Sequence, residues 1–236
     1  ARVGAARAEA DAAADIVART GPCEVIELGS GSARKTRVLI DTGCDLREQM
    51  LDAGVDAVDG VFYTHEHADH VHGIDDLRVL ALNSRRRVDV FMSIATEVRL
   101  RQAFGYCFSA PENSPYPPIL NAHSIADGER ITVEGAGGSI EVAAFEQIHG
   151  NITSLGFRIG DFAYAPDVSA MPPESEAMLS GLDTLVIDAL RYTPHPTHFS
   201  VSDALDLIER TKPRSAVLTN LHTDLDYNEL AARLPD

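Results

Sequence analysis

Four histidines stand within the eight residues from His65 to His72, in the stretch FYTHEHADHVHGIDDLR. His65, His67, Asp69 and His70 form an HxHxDH array directly after the apolar run GVFYT (60–64). On a chain leaving a strand, residues two apart can point the same way while the next pair points to an adjacent position. Four ligands can then serve two cations. Neutral imidazole suits zinc, manganese or iron, and a carboxylate makes the second position harder. A pair of cations needs about three protein ligands each, so the remainder must come from other strand ends. His149 in EQIHGN, Asp167 in FAYAPDVS and His222 in VLTNLHTD each follow an apolar run and precede a turn.

A second group of histidines lies in DALRYTPHPTHFS (188–200). His195 and His198 come after an apolar run and just before Ser200, which reads as a helix cap. A histidine so placed can donate to a phosphoryl oxygen or protonate a leaving alkoxide, and Asp188 at the strand end can orient it and raise its basicity. For His195, between two prolines, packing of a turn is the competing reading. Arg78, Tyr106 and Tyr192 are candidate phosphate or base contacts, with a helix-surface charge and packing aromatics as the ordinary alternative.

Short β-branched runs alternating with helical stretches are needed to position these groups, and one α/β domain over residues 1–236 is the economical reading. Residues 8–19 read as a helix. CEVIEL (23–28) and TRVLID (36–41) read as strands around the turn GSGS (29–32), and LREQMLDA as a helix capped by Asp45 and stopped by Gly54. VDVFMS (88–93) feeds a helix near 95–103, after which 104–118 reads as a long Pro- and aromatic-rich loop, a candidate lid. ERITV, SIEVAAF, SLGFRIG and DFAYA read as successive antiparallel strands, followed by a short helix after Pro172–Pro173. The end returns to strand, helix and strand: DTLVIDA (183–189), a helix from about Ser202 to Arg210, SAVLTN (215–220) and a last helix near 227–234. Two sheets with helices outside follow from that order.

The 236 residues are 44% hydrophobic, enough for a buried core. With 20 basic and 36 acidic residues the net charge is −16, which disfavours long nucleic acid, since phosphate neutralisation by Lys and Arg carries most of that affinity. Arg85, Arg86 and Arg87 are the one basic run and read as a solvated loop. A small phosphorylated substrate, held by bound cations, fits the charge better. Cys23, Cys44 and Cys107 show no CxxC pairing and read as buried free thiols. No apolar run approaches the span of a bilayer and the Ala-rich, charged start lacks a signal-peptide core, so no membrane partner and a cytoplasmic location are expected.

THEHADH, the preceding LIDTG (39–43), and His149, Asp167 and His222 in that order resemble the metallo-β-lactamase superfamily. The resemblance implies a four-layer αβ/βα sandwich of two mixed sheets with helices outside. It implies one metal on His65, His67 and His149, the other on Asp69, His70 and His222, with Asp167 bridging and Asp41 orienting a ligand histidine. Two divalent ions, zinc or manganese with iron possible, would activate a bridging hydroxide, chemistry that serves phosphodiester, thioester and lactam hydrolysis alike. The HFS element with Asp188 resembles the proton-transfer pair of the phosphodiesterase branch. THEHADHVHGIDDLR, GFRIGDFAYAPDVS and HPTHFS are most similar to phosphoribosyl 1,2-cyclic phosphate phosphodiesterases, with Cys44 and Asn220 near sites where relatives often carry Pro and His. The expectation is a dinuclear enzyme opening a small cyclic or nucleotide-like phosphodiester, with His198, Asp188 and Asp69 in catalysis. Competing readings are a thioester or lactone hydrolase and a non-catalytic nucleotide-binding protein. Superfamily relatives are often dimers, so a homodimer is possible.

Overall fold

The computed structural model describes residues 14–17, 24–28 and 35–234, the first two segments by their backbone. Its strands are β1 (Ala14–Val17), β2 (Glu24–Leu28), β3 (Thr36–Ile40), β4 (Gly60–Phe62), β5 (Val88–Met92), β6 (Leu120–Ser124), β7 (Arg130–Gly135), β8 (Gly138–His149), β9 (Ile152–Ile159), β10 (Phe162–Ala165), β11 (Thr184–Asp188) and β12 (Ser215–Thr219). Its helices are α1 (Leu46–Ala53), α2 (Ala68–Val71), α3 (Leu77–Ser84), α4 (Ile94–Phe108), α5 (Pro173–Ala177), α6 (Val201–Thr211) and α7 (Tyr227–Arg233). One six-stranded sheet has the order β1-β2-β3-β4-β5-β6 and the other β12-β11-β10-β9-β8-β7. Both are mixed, the α/β class expected. No helix among the described residues is long and apolar enough to cross a membrane.

Two compact units divide the chain. The first comprises Ala1–Ala126 with Arg130–Val142, and the second Asp127–Glu129 with Ala143–Asp236. In the first unit β3, β4, β5 and β6 run parallel, so their carboxyl ends share one edge. The chain leaves β3 into Asp41 and β4 into Thr64 and His65 at that edge. This is where open parallel sheets place their ligands. Leu39, Val61, Val90, Ile74 and Leu77 are fully buried in the core beneath, each contributing about 1.5–3 kcal/mol by leaving water.

In the second unit β10, β11 and β12 are parallel, while β8 pairs antiparallel with β9 and β9 with β10. The strands β8, β10, β11 and β12 therefore point the same way. Their ends deliver His149, Asp167, Asp188 and Asn220 to one rim. A core of Phe145, Leu185, Ile187, Ala204 and Leu207 lies under it. Helix α6 is fixed by a capping box in which the Ser200 hydroxyl accepts from the Asp203 amide while the Asp203 carboxylate accepts from the Ser200 amide.

Gly156 on β9 is required by close approach. An added Cβ would sit 2.1 Å from Cε2 of Phe145 and 2.3 Å from Oε1 of Gln147, both fully buried. Gln147 uses its Nε2 to hold the Pro166 carbonyl at 2.6 Å, beside Asp167. Gly156→Ala should lower unfolding stability by about 1–3 kcal/mol, the cost of overpacking, read from urea denaturation. Unchanged stability would mean that Phe145 and Gln147 have room to move.

Several expectations are corrected. Within 8–19, residues Ala14–Val17 are a strand, not helix, because they pair with Val25–Leu28, and tertiary pairing overrides the helix propensity of alanine. The rest of that span, the GSGS turn and Cys23 lie outside the described residues. The loop expected over 104–118 is shorter: α4 continues to Phe108 across a non-helical Phe104. Strand β6 was not expected from the polar run LNAHS. Asp45 is at the N-cap of α1 but its side chain makes no capping bond, whereas Gly54 closes the helix in the left-handed region at φ 66°. Cys107 is buried and free, but Cys44 is exposed. Burial pushes the Cys107 thiol up to about 11.

Candidate metal centre

The first unit supplies the array. Asp41 adopts a left-handed φ of 60° at the end of β3, a conformation that Asp tolerates better than most residues. Its buried carboxylate accepts from the Thr64 amide at 2.8 Å, from the Thr64 hydroxyl at 2.8 Å, and from Nδ1 of His70 at 2.7 Å. A carboxylate only accepts, so the His70 proton sits on Nδ1 and its Nε2 is a lone pair. The Thr64 hydroxyl, having given its one proton to Asp41, accepts from Nδ1 of His65 at 3.0 Å. The lone pair of His65 is likewise on Nε2, and it meets Nδ1 of His67 at 2.9 Å. Oδ2 of the exposed Asp69 lies 3.5 Å from Nε2 of His70. The turn is pinned from behind, where the Thr42 amide donates to the His70 carbonyl at 2.7 Å and the Gly73 amide to the Thr42 carbonyl at 2.8 Å.

The second unit supplies two further ligand-type groups. His149 donates from Nδ1 to the Thr197 carbonyl at 2.6 Å, which turns Nε2 towards Oδ2 of Asp167 at 3.6 Å. Asp167 is itself left-handed, φ 41°, with its carbonyl held by the Ser154 hydroxyl at 2.9 Å and its Oδ1 by Nδ2 of Asn220 at 2.5 Å. Among the described residues the candidate metal ligands are His65, His67, Asp69 and His70 in the first unit and His149 and Asp167 in the second. The donor set fits a divalent cation: the tautomers of His65, His70 and His149 are each fixed by an acceptor at Nδ1, so Nε2 is presented unprotonated. His222, expected as a ligand, is exposed, with Nδ1 taking the Asp224 amide at 3.2 Å and lying 3.3 Å from Oδ2 of Asp224.

Beside His149 stand His198 and Asp188, the pair expected to transfer protons. Nδ1 of His198 is 2.8 Å from Oδ2 of the fully buried Asp188, and the rings of His149 and His198 are 4.8 Å apart. Burial pushes the Asp188 carboxyl above its ordinary range, while the bonds from His198 and the Val168 amide act against that shift. His195 stacks obliquely on His198 at 5.3 Å. Its Nδ1 accepts from the Thr197 amide at 3.3 Å, so the neutral ring carries its proton on Nε2. Desolvation and the nearby Arg191 lower its pKa, which favours the neutral ring.

The remaining expected contacts divide by unit. Arg78 is ion-paired with Asp75 at 2.7 Å and lies 5.9 Å over the Tyr106 ring. Both border a cavity of about 400 Å³ completed by Ser109, Pro111, Ser114 and Tyr116. Tyr192 packs instead under the Arg233 guanidinium at 5.9 Å. Of the basic run, Arg86 is paired with Asp59 at 2.9 Å. Three groups escaped the sequence reading: Thr64, the Thr197 carbonyl and the Asn220 contact with Asp167. Thr64 was visible as the first letter of THEH, but a backbone carbonyl has no sequence signal.

A family profile described as "Beta-lactamase superfamily domain" matches residues 36–220. The chain therefore belongs to the beta-lactamase superfamily. Within it, the chain is similar to a solved diphosphatase of the PhnP family, at 33% identity and TM-score 0.77, covering 90% of this chain and 78% of that one. The chain thereby stands close to the PhnP family. Curated relatives include an octanoyltransferase of Porphyromonas gingivalis, 32% identical over 82% of this chain and 39% of that protein. A ribonuclease Z of Archaeoglobus fulgidus is 30% identical over 61% of this chain and 43% of that protein. The chain thus spans about two fifths of the curated relatives it matches. The fold class agrees with the expectation, and the superfamily implies binding of divalent metal.

Proposed function

We propose that this protein is a divalent-metal hydrolase that opens a small phosphodiester of a cyclic phosphoribosyl or nucleotide-like kind. The observation that carries this reading is the bond between His198 and buried Asp188, with the His198 ring 4.8 Å from that of His149. Hydrolysis of a phosphodiester expels an alkoxide that needs a proton, and a carboxylate-backed imidazole beside a metal ligand is suited to give it. The likeness to a diphosphatase supports hydrolysis at phosphorus.

In this reading His65, His67, Asp69 and His70 of the first unit and His149 and Asp167 of the second would be the ligands of divalent metal. Zinc and manganese both suit such donors, and iron is compatible. When bound, the cations polarise a phosphoryl oxygen and make water a stronger acid. The chain does the rest. Asp41 and Thr64 keep the protons of His65 and His70 on Nδ1, and the Thr197 carbonyl does so for His149. His198 keeps one proton on Nδ1 towards Asp188 and delivers another from Nε2 to the leaving oxygen. His195 donates from Nε2 to a phosphoryl oxygen. The charge of −16 favours a small substrate over a long nucleic acid.

The test is hydrolysis of a small cyclic phosphodiester beside a thioester, with protein stripped of metal and reloaded separately with zinc and with manganese. Phosphodiester cleavage that appears only on reloading is the expected result. Thioester cleavage without phosphodiester cleavage would overturn the reading, as would nucleotide binding with no turnover.

A further inference from the structure

Shortly after the histidine array, the first unit builds a cavity that the reaction above leaves unused. It has about 400 Å³, within the about 300–1,000 Å³ usual for small-ligand sites. Its walls are α3, the last turn of α4 and the loop that follows, and each is held in place by the protein alone. Arg78 on α3 is fixed by Asp75 at 2.7 Å, and Asp75 also faces Sγ of buried Cys107 at 3.7 Å. The loop is tied at its base, where the Ile119 amide donates to the Cys107 carbonyl at 2.8 Å. At its tip the Ser114 amide donates to the Pro111 carbonyl at 3.1 Å, across Asn113 in the left-handed region at φ 63°. The Tyr116 amide then donates to the Ser114 hydroxyl oxygen at 3.2 Å. His72, two residues past His70, packs its ring on Phe104 of α4 at 5.9 Å, so the array and the α4 wall share a support.

The lining decides what fits. Tyr106, Tyr116 and Pro111 offer flat, largely apolar faces, and both tyrosines are exposed. Arg78 lies 5.9 Å over the Tyr106 ring, which adds a guanidinium plane to the stacking surface. Its charge is already balanced by Asp75, and a protein of net charge −16 adds no field that would draw in an anion. The cavity is therefore poor for phosphate and suited to a flat, uncharged ring with polar edges, and every nucleobase has such a stacking face. We infer that this cavity binds a nucleobase, so that the substrate is a small nucleotide rather than a phosphoribosyl group without a base. The substrate part of this inference rests on the phosphodiesterase reading above.

Equilibrium binding tests it without turnover. Adenosine, guanosine, cytidine and uridine are titrated calorimetrically into the metal-loaded protein, beside ribose and ribose 5-phosphate. At least one nucleoside should bind where ribose does not. Tyr116→Ala and Tyr106→Ala should each weaken that binding by about 5–150-fold, the range of one lost base stack, and Tyr116→Phe should retain it. Tyr116 is 75% exposed, so its variants keep the test valid if Tyr106→Ala fails to fold. Four nucleosides that bind no better than ribose would overturn the inference, as would nucleoside binding indifferent to both alanine variants. Equal weakening of ribose 5-phosphate and nucleoside by Tyr116→Ala would also overturn it, since the cavity would then hold the sugar phosphate. The two readings fail separately. Metal-dependent opening of a cyclic phosphodiester with no nucleoside binding removes the base pocket alone. Tyrosine-dependent nucleoside binding in a protein that cleaves only thioesters removes the phosphodiesterase reading and leaves the pocket.

Discussion

His198→Ala should lower phosphodiester turnover by about 10²–10⁴-fold, the range over which a positioned acid or base contributes, while the protein keeps its metal. The ring is bonded to Asp188 and stands beside His149, but it is not in the set of candidate ligands. Turnover should therefore fall without a change in metal content, and the loss should sit in kcat more than in KM, since the proton moves only in the transition state. Removing the imidazole also deprives buried Asp188 of one of its two hydrogen-bond donors, and its Oδ1 already lacks a partner among the described residues. Some loss of stability should accompany the kinetic effect, so turnover is to be compared well below the unfolding midpoint. A metal-loaded His198→Ala variant with full turnover would end the proton-donor role.

Asp41→Ala should act on the other side of the chemistry, weakening metal affinity by about 10–100-fold. One carboxylate takes the Thr64 amide, the Thr64 hydroxyl and Nδ1 of His70, and through Thr64 it also fixes His65. Without it the Thr64 amide is a buried donor lacking its acceptor, at a cost of about 1–3 kcal/mol. The tautomers of both histidines are then unconstrained. Alanine is also strained at φ 60°, so Asp41→Asn is the companion variant, since Asn accepts that backbone. The amide of Asn would set a donor against one of the three donors that Asp41 accepts, and metal affinity should still fall. Chelator competition on folded protein reads both variants. Wild-type affinity in Asp41→Asn would show that Thr64 alone suffices to orient the ligands.

Much of the fold was legible because the signals were local. The β-branched runs of β3, β5, β11 and β12, the capping box of α6 and the Gly54 stop of α1 each lie within a few residues of the element they define. Where the reading failed, a distant partner decided. Ala14–Val17 is extended because Val25–Leu28 lies beside it, although alanines in isolation favour a helix. The polar run of β6 is a strand because Val88–Met92 offers it a parallel edge in register.

The residue types and their order came from the sequence alone: a histidine array after one strand, ligand-type groups after three others, and a histidine with an acidic partner ten residues before it. Tertiary structure decided which atoms meet. Thr64 reaches Asp41 across 23 positions, His149 reaches the Thr197 carbonyl across 48, and Asn220 reaches Asp167 across 53. His222 was the residue expected from this strand end; its side chain is exposed, and it is Asn220 that bonds Asp167. The physical reason is that tautomer and ligand direction depend on hydrogen bonds between strand ends that only the closed sheets bring together.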